Sequence, residues 1–199
     1  MNPTSILSSE HRVIEVVLGA LEKMAIQSEL TNRLDPMRAN QAVEFLKNFA
    51  DKCHHGKEEN HLFSKMVDRG FPKSSGPIGV MLWEHDQGRA LIRAMSDAIK
   101  EFQLEQKEAV GHFIYAARQY VDLLRQHIMK EDHHLFPMAE SVFNEDDKAA
   151  LIERFEEVEK MELGAEQHGM WHKLAQELAA FYQIEPRDHP VPMGLSCCH

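Results

Sequence analysis

The sequence predicts an all-α fold: an up-and-down four-helix bundle of two similar helix pairs, with an additional C-terminal helix. Three observations predict it. Apolar residues recur at three- and four-residue spacings along most of the chain, strand-like alternation with β-branched enrichment is absent, and the second half repeats a His and Glu pattern of the first.

The first helix is expected from about Ile6 to Gln27, where Val13, Val16, Val17, Ala20, Leu21 and Met24 keep helical spacing, with Ser8 or Thr4 as its cap. Asp35 before Pro36 is a capping carboxylate ahead of a proline at the first helical position, and this second helix runs through His54 and Glu58 toward Met66. Breakers between Gly70 and Pro77 separate it from a third helix marked by Val80, Trp83, Leu91, Ile92, Met95 and Ile99. A fourth, from Phe113 through Ile128, is expected to end or bend at Pro137. Asn144, three residues before Asp147, caps the fifth-helix material, which Gly164 and Gly169 are placed to interrupt. The expected organisation is a bundle over 1–140, a helical extension packed on it over 141–185 and a flexible tail over 186–199.

Composition limits the functions available. The chain has 199 residues, 43% hydrophobic and 27% charged, as in an ordinary folded protein. No apolar run approaches the roughly 20 residues that span a bilayer, and the N-terminus lacks a signal-peptide pattern, so no membrane role and a cytoplasmic location are expected. A net charge of −10 without a basic cluster argues against nucleic acid. Three cysteines make no disulfide framework. Thirteen histidines are the unusual feature, because neutral imidazole is available for metal binding near neutral pH.

Aligning the second and fourth helices on Leu62-Phe63 and Leu135-Phe136 places His54 on His127, Lys57 on Lys130, Glu58 on Glu131 and His61 on His134. Glu10-His11 then matches Glu84-His85 one residue out of step. The four-residue spacing of His54 with Glu58, and of His127 with Glu131, puts each pair on one face of its helix. Two facing pairs, joined by His11 and His85, give four imidazoles and two carboxylates, a nitrogen and oxygen set that suits two iron ions with the carboxylates bridging. The expected cofactor is therefore two non-heme irons, oxo- or hydroxo-bridged, held by His11, His54, Glu58, His85, His127 and Glu131.

These residues resemble the hemerythrin-like proteins with the HHE cation-binding domain. The family pattern of His, His-x-x-x-Glu, His, His-x-x-x-Glu is met by His11, His54 with Glu58, His85, and His127 with Glu131, and the resemblance is strong from about Ile6 to Glu140. The chain departs from the oxygen-carrying members, whose third helix supplies a second histidine where Arg89 stands here, so one iron is expected to lose a protein ligand. Asp132, five residues after His127, has the carboxylate spacing of those carriers and competes with Glu131 as the bridge, although the internal repeat favours Glu131.

Other candidates have plainer readings. His55 with Glu59 repeats the four-residue spacing, but its counterpart is Ile128, so a surface position is expected. His61 and His134 lie about 10 Å along the axis from the ligands and read as pocket-lining or exposed. His168 and His172 have a metal-compatible spacing without a fixed partner, Cys197, Cys198 and His199 end the tail, and Met81, Met95, Met129 and Met138 read as core filler.

The leading functional expectation is a di-iron protein binding oxygen or a related small ligand, peroxide or nitric oxide, for sensing, storage or oxidative-stress defence. Glu15 and Arg89 would tune the ligand. A di-iron oxidoreductase with Tyr115, Tyr120 or Trp83 as redox-active neighbours, or an iron-responsive regulatory module, are the alternatives; protein partners are left open.

Overall fold

Helix α1 (Pro3–Thr31) starts earlier than expected, with Pro3 in the first turn, where its fixed φ suits a helix and its missing N–H costs nothing. Neither expected cap acts as one: the Thr4 hydroxyl bonds Glu140, and the Ser8 hydroxyl donates to Asp132 at 2.8 Å. The computed structural model describes residues 2–163 and 165–185, side chains of 162–168 excepted, and the described residues contain helices without a strand.

Helix α2 runs without a break over 36–68. Asp35 caps it by accepting from the backbone N–H groups of Met37 and Arg38, each at 3.1 Å. Within it, α-helix (Pro36–Phe45) gives way to π-helix at Leu46–His55 and again at Glu58–Leu62 before α-helix resumes at Phe63–Asp68. The turn into α3 (Gly76–Gln103) uses Gly70 and Gly76 at φ 99° and 62°, a region where a side chain is strained.

Helix α4 (109–142) does not end at Pro137. A π-helical stretch, Glu131–Leu135, comes directly before the proline and widens the helix where the ring would press on the preceding turn, so the rod continues through Phe136–Val142. Helix α5 (145–163) opens with Asn144 accepting from the Asp147 N–H at 2.8 Å while the Asp147 carboxylate takes the Asn144 N–H at 3.2 Å. Helix α6 (Ala165–Tyr182) contains Gly169 instead of breaking there.

Helices α1 to α4 form a closed ring of neighbours, α3 against α4, α4 against α1, α1 against α2 and α2 against α3, while α6 lies on α1 and α2 and α5 on α1 and α2. Two apolar cores result. One holds Ile14, Leu18, Phe49, Met95, Phe113 and Tyr120; the other holds Leu7, Leu62, Phe63, Met81, Leu135 and Phe136 together with Leu151 and Phe155 from α5. On every helix of the ring the proposed metal ligands fall in sequence between residues of these two cores, so the donors make one polar layer between two dry ones. Met129 and Met138, read as core filler, are instead 52% and 36% exposed, because the helix faces that carry them point away from both cores. None of the described helices is long and apolar enough to cross a membrane. The segment 186–199, with Cys197, Cys198 and His199, lies outside the described residues.

Candidate metal centre

The six predicted ligands all reach this layer, and none exceeds 1% exposure. Glu58 lies with one oxygen 3.5 Å from His54 Nε2 and the other 3.5 Å from His85 Nε2. Glu131 Oε2 sits 3.2 Å from both His11 Nε2 and His127 Nε2. Each carboxylate therefore stands between two histidines from different helices. Among the described residues two groups have donor atoms within 4.8 Å of one another: His11, His54, Glu58 and Glu131, and His55, Glu58, His85 and His127.

What points the histidines inward is a second set of carboxylates. Nδ1–H of His54 donates to Glu10 at 2.8 Å and that of His127 to Glu84 at 2.9 Å. His11 donates likewise to Asp132 at 2.9 Å and His85 to Glu59 at 2.7 Å. Each of these four carboxylates is held by a cation: Lys57 on Glu10, Lys130 on Glu84, Arg12 on Asp132 and Arg89 on Glu59. A histidine bound through Nδ1–H to a carboxylate has its tautomer fixed and its Nε2 lone pair free, the arrangement found behind metal-ligating imidazoles.

The arrangement follows the internal repeat. Glu10, His54 and Lys57 correspond to Glu84, His127 and Lys130, and Asp132 under His11 corresponds to Glu59 under His85. The landmark phenylalanines do too: Phe136 stacks on His11 at 5.5 Å and Phe63 on His85 at 5.9 Å. Both copies turn π-helical at the ligand glutamate, at Glu58–Leu62 and at Glu131–Leu135. Short π-helical turns inside α-helices collect at functional sites, where one extra residue per turn re-aims a side chain.

Electrostatics mark the same layer. Burial and the neighbouring Glu131 push Glu58 well above the usual carboxylate range. Burial would raise Glu131 too, yet His127 and His11 hold it well below that range. Burial lowers His54 to about 4, whereas His127, despite burial, is held up at about 9 by Glu131 and Glu84. His85 and His127 face each other with Nε2 atoms 3.0 Å apart, the separation of neighbouring donors on one ion with metal–nitrogen bonds of about 2.1 Å. Both oxygens of Glu58, both of Glu131 and Nε2 of His11 are buried without a hydrogen-bond partner. Buried polar atoms left orphaned at the convergence of imidazoles and carboxylates fit a metal site.

Asp132 stands behind His11 and outside the clustered donor atoms. It is occupied by His11, Ser8 and Arg12, while Glu131 faces the histidines. His55 is not on the surface: it is 3% exposed and its ring stacks on His85 at 3.8 Å. The comparison with Ile128 misplaced it, although Ile128 is itself buried; the preceding π-helical run, closed i to i+5, leaves a smaller angle between neighbouring residues than an α-helix does, so His55 follows His54 inward. Arg89 reaches Asp51 and Glu59, and Glu15 pairs with Arg12 at 3.3 Å. His134 is exposed and His61 half-buried, so neither forms the wall of the centre. Trp83 and Tyr115 are 59% and 68% exposed; of the proposed redox neighbours only Tyr120 is buried. His172 packs edge-on against Phe49 at 5.6 Å, and the side chain of His168 lies outside the described residues. Glu10, Glu84, Glu59 and the two lysines were not assigned roles from sequence, although Glu10 with Glu84 and Lys57 with Lys130 stood in the repeat.

The model of the hemerythrin HHE cation binding domain matches residues 2–139, and the chain belongs to that family. The family binds metal cations, and the buried His and Glu cluster of this chain fits such a site. No curated protein and no solved structure matches the chain.

Proposed function

We propose that this chain is a non-heme di-iron protein that binds oxygen or a related small ligand, peroxide or nitric oxide, in sensing, storage or oxidative-stress defence. His11, His54, Glu58, His85, His127 and Glu131 are the ligands in this reading. The observation that carries it is the pair of fully buried carboxylates without a hydrogen-bond partner, each set between imidazoles whose Nδ1 atoms are already engaged. Iron bound there would supply redox-active Lewis acidity. The protein's part is to present Nε2 atoms and carboxylate oxygens already oriented, and to keep water out with the phenylalanines below His11 and His85. Burial of every ligand favours a molecule small enough to diffuse through a packed bundle. The division into a bundle over 1–140 and an extension over 141–185 belongs to the same proposal.

One observation favours the iron-responsive alternative. Lys57 is fully buried and joins Glu10, which orients His54, to Glu159 of α5 at 2.5 Å. A change in metal occupancy at His54 thereby has a direct polar route into the C-terminal extension.

Iron content and the near-ultraviolet spectrum of protein from iron-supplied cells, beside a His54→Ala/Glu131→Ala variant, test the main reading. Near two irons per chain, with charge-transfer absorption lost in the variant, is the expected result. Iron absent from the wild type, or unaffected by the substitutions, would refute it.

A further inference from the structure

We infer that His55 is a seventh protein ligand of the centre, taking the place of the imidazole that the third helix lacks at Arg89. The inference rests on the di-metal reading and adds a donor to it. His55 contributes a donor atom to the group with Glu58, His85 and His127, all within 4.8 Å. Its Nδ1 is buried without a hydrogen-bond partner, with Asp51 Oδ1 3.5 Å away.

Three departures from internal symmetry meet at this residue. In the second copy the positions of His55 and Asp51 are held by Ile128 and Leu124, both buried and apolar. Replacing an apolar pair by an imidazole and a carboxylate in a packed interior is costly unless the polar groups are used. Only the first copy has the π-helical run Leu46–His55; the matching part of α4 is regular α-helix within Ala109–Lys130. Arg89, at the position of the missing ligand, donates from Nε to Asp51 at 2.8 Å and from a terminal nitrogen to Glu59 at 2.6 Å. It thus positions the carboxylates behind His55 and His85 at once. The ligand has moved from α3 to α2, and the residue left behind supports it there.

The two metal positions are then unlike. One is bounded by His55, Glu58, His85 and His127, with three imidazoles, the other by His11, His54, Glu58 and Glu131, with two imidazoles and a second carboxylate.

The test is stepwise cobalt(II) titration of metal-free protein, followed by its visible spectrum, in wild type, His55→Phe and His55→Gln. Phenylalanine keeps a ring against His85 and removes the donor, separating packing from ligation. Two cobalt ions in the wild type, with the second weakened about tenfold or more in both variants while helicity of the metal-free chains is kept, is the expected result. Unchanged affinity and spectrum for both ions in the His55 variants would overturn the inference and leave the di-metal reading standing, whereas no cobalt uptake by the wild type would overturn both. If the variants fail to fold, the imidazole 15N shifts of zinc-loaded wild type decide. A coordination shift at His55 matching those of His85 and His127 supports ligation, and an unshifted His55 refutes it.

Discussion

Replacing Glu10 or Glu84 by Gln separates the metal-orienting role of these carboxylates from their role in stability. Both accept Nδ1–H of a ligand histidine, from His54 and His127, and both pair with a lysine, Lys57 and Lys130. A Gln side chain retains one acceptor for the imidazole but loses the charge, and loosening a ligand's support typically costs about 10- to 100-fold in metal affinity. The two variants are therefore expected to lose affinity equally. Stability separates them, because Lys57 is 0% exposed and Lys130 is 32% exposed. Removing one partner of a buried ion pair costs about 3–5 kcal/mol; with Glu159 still in place Lys57 falls at the low end, about 3 kcal/mol, or roughly 6–12 °C in Tm for a chain of this size. The half-exposed Lys130 pair is worth about 1 kcal/mol or less. Calorimetry of the metal-free variants and competitive metal titration measure the two effects. Equal losses of stability, or unchanged affinity in both, would refute the reasoning.

The metal-free protein should be most stable near pH 6.5. His54 takes up a proton at about 6.5 when unfolded and only at about 4 when folded, so stability falls by about 3 kcal/mol as pH drops through that window. His127 is held at about 9 in the folded state, so the stability it contributes below 6.5 is lost, by a similar amount, as pH rises toward 9. Urea unfolding of chelator-treated protein at pH 5, 6.5 and 8.5 measures this, and a flat profile contradicts it. Asp132→Ala should weaken metal binding about 10- to 100-fold while retaining full occupancy at saturating metal, because it frees the His11 ring without removing a donor; Glu131→Ala should lose occupancy outright, and metal analysis after dialysis distinguishes the two.

The fold class and the convergence of the six candidate ligands were legible because they rest on features that a sequence writes twice. Spacing places His54 with Glu58 and His127 with Glu131 on shared faces, and the Leu-Phe landmarks fix the register between copies. What was hidden depends on departures from a uniform helical period. The π-helical runs leave no composition signal, so nothing in the sequence countered the reading of His55 as surface from its counterpart Ile128 or of Pro137 as an end or a bend. The repeat favoured Glu131 over Asp132, but which of the two adjacent carboxylates faces the histidines depends on the π-helical turn that begins at Glu131 itself. The supporting acids were harder still. Glu59 and Asp132 bond histidines on other helices, a relation set by packing and invisible along one strand of sequence.

The approximate twofold relation between the helix pairs has an evolutionary corollary. A single helix pair docking on a second copy of itself would bring together two of each: the Glu-His dipeptide, the His-x-x-x-Glu turn, the lysine behind it and the phenylalanine below. Such an isologous assembly repeats every feature across its axis. It can place a histidine at the position of His55 on both sides or on neither, never on one. Unlike metal positions therefore require the two pairs to differ in sequence, and joining them through the link between α2 and α3 lets each change alone within one chain.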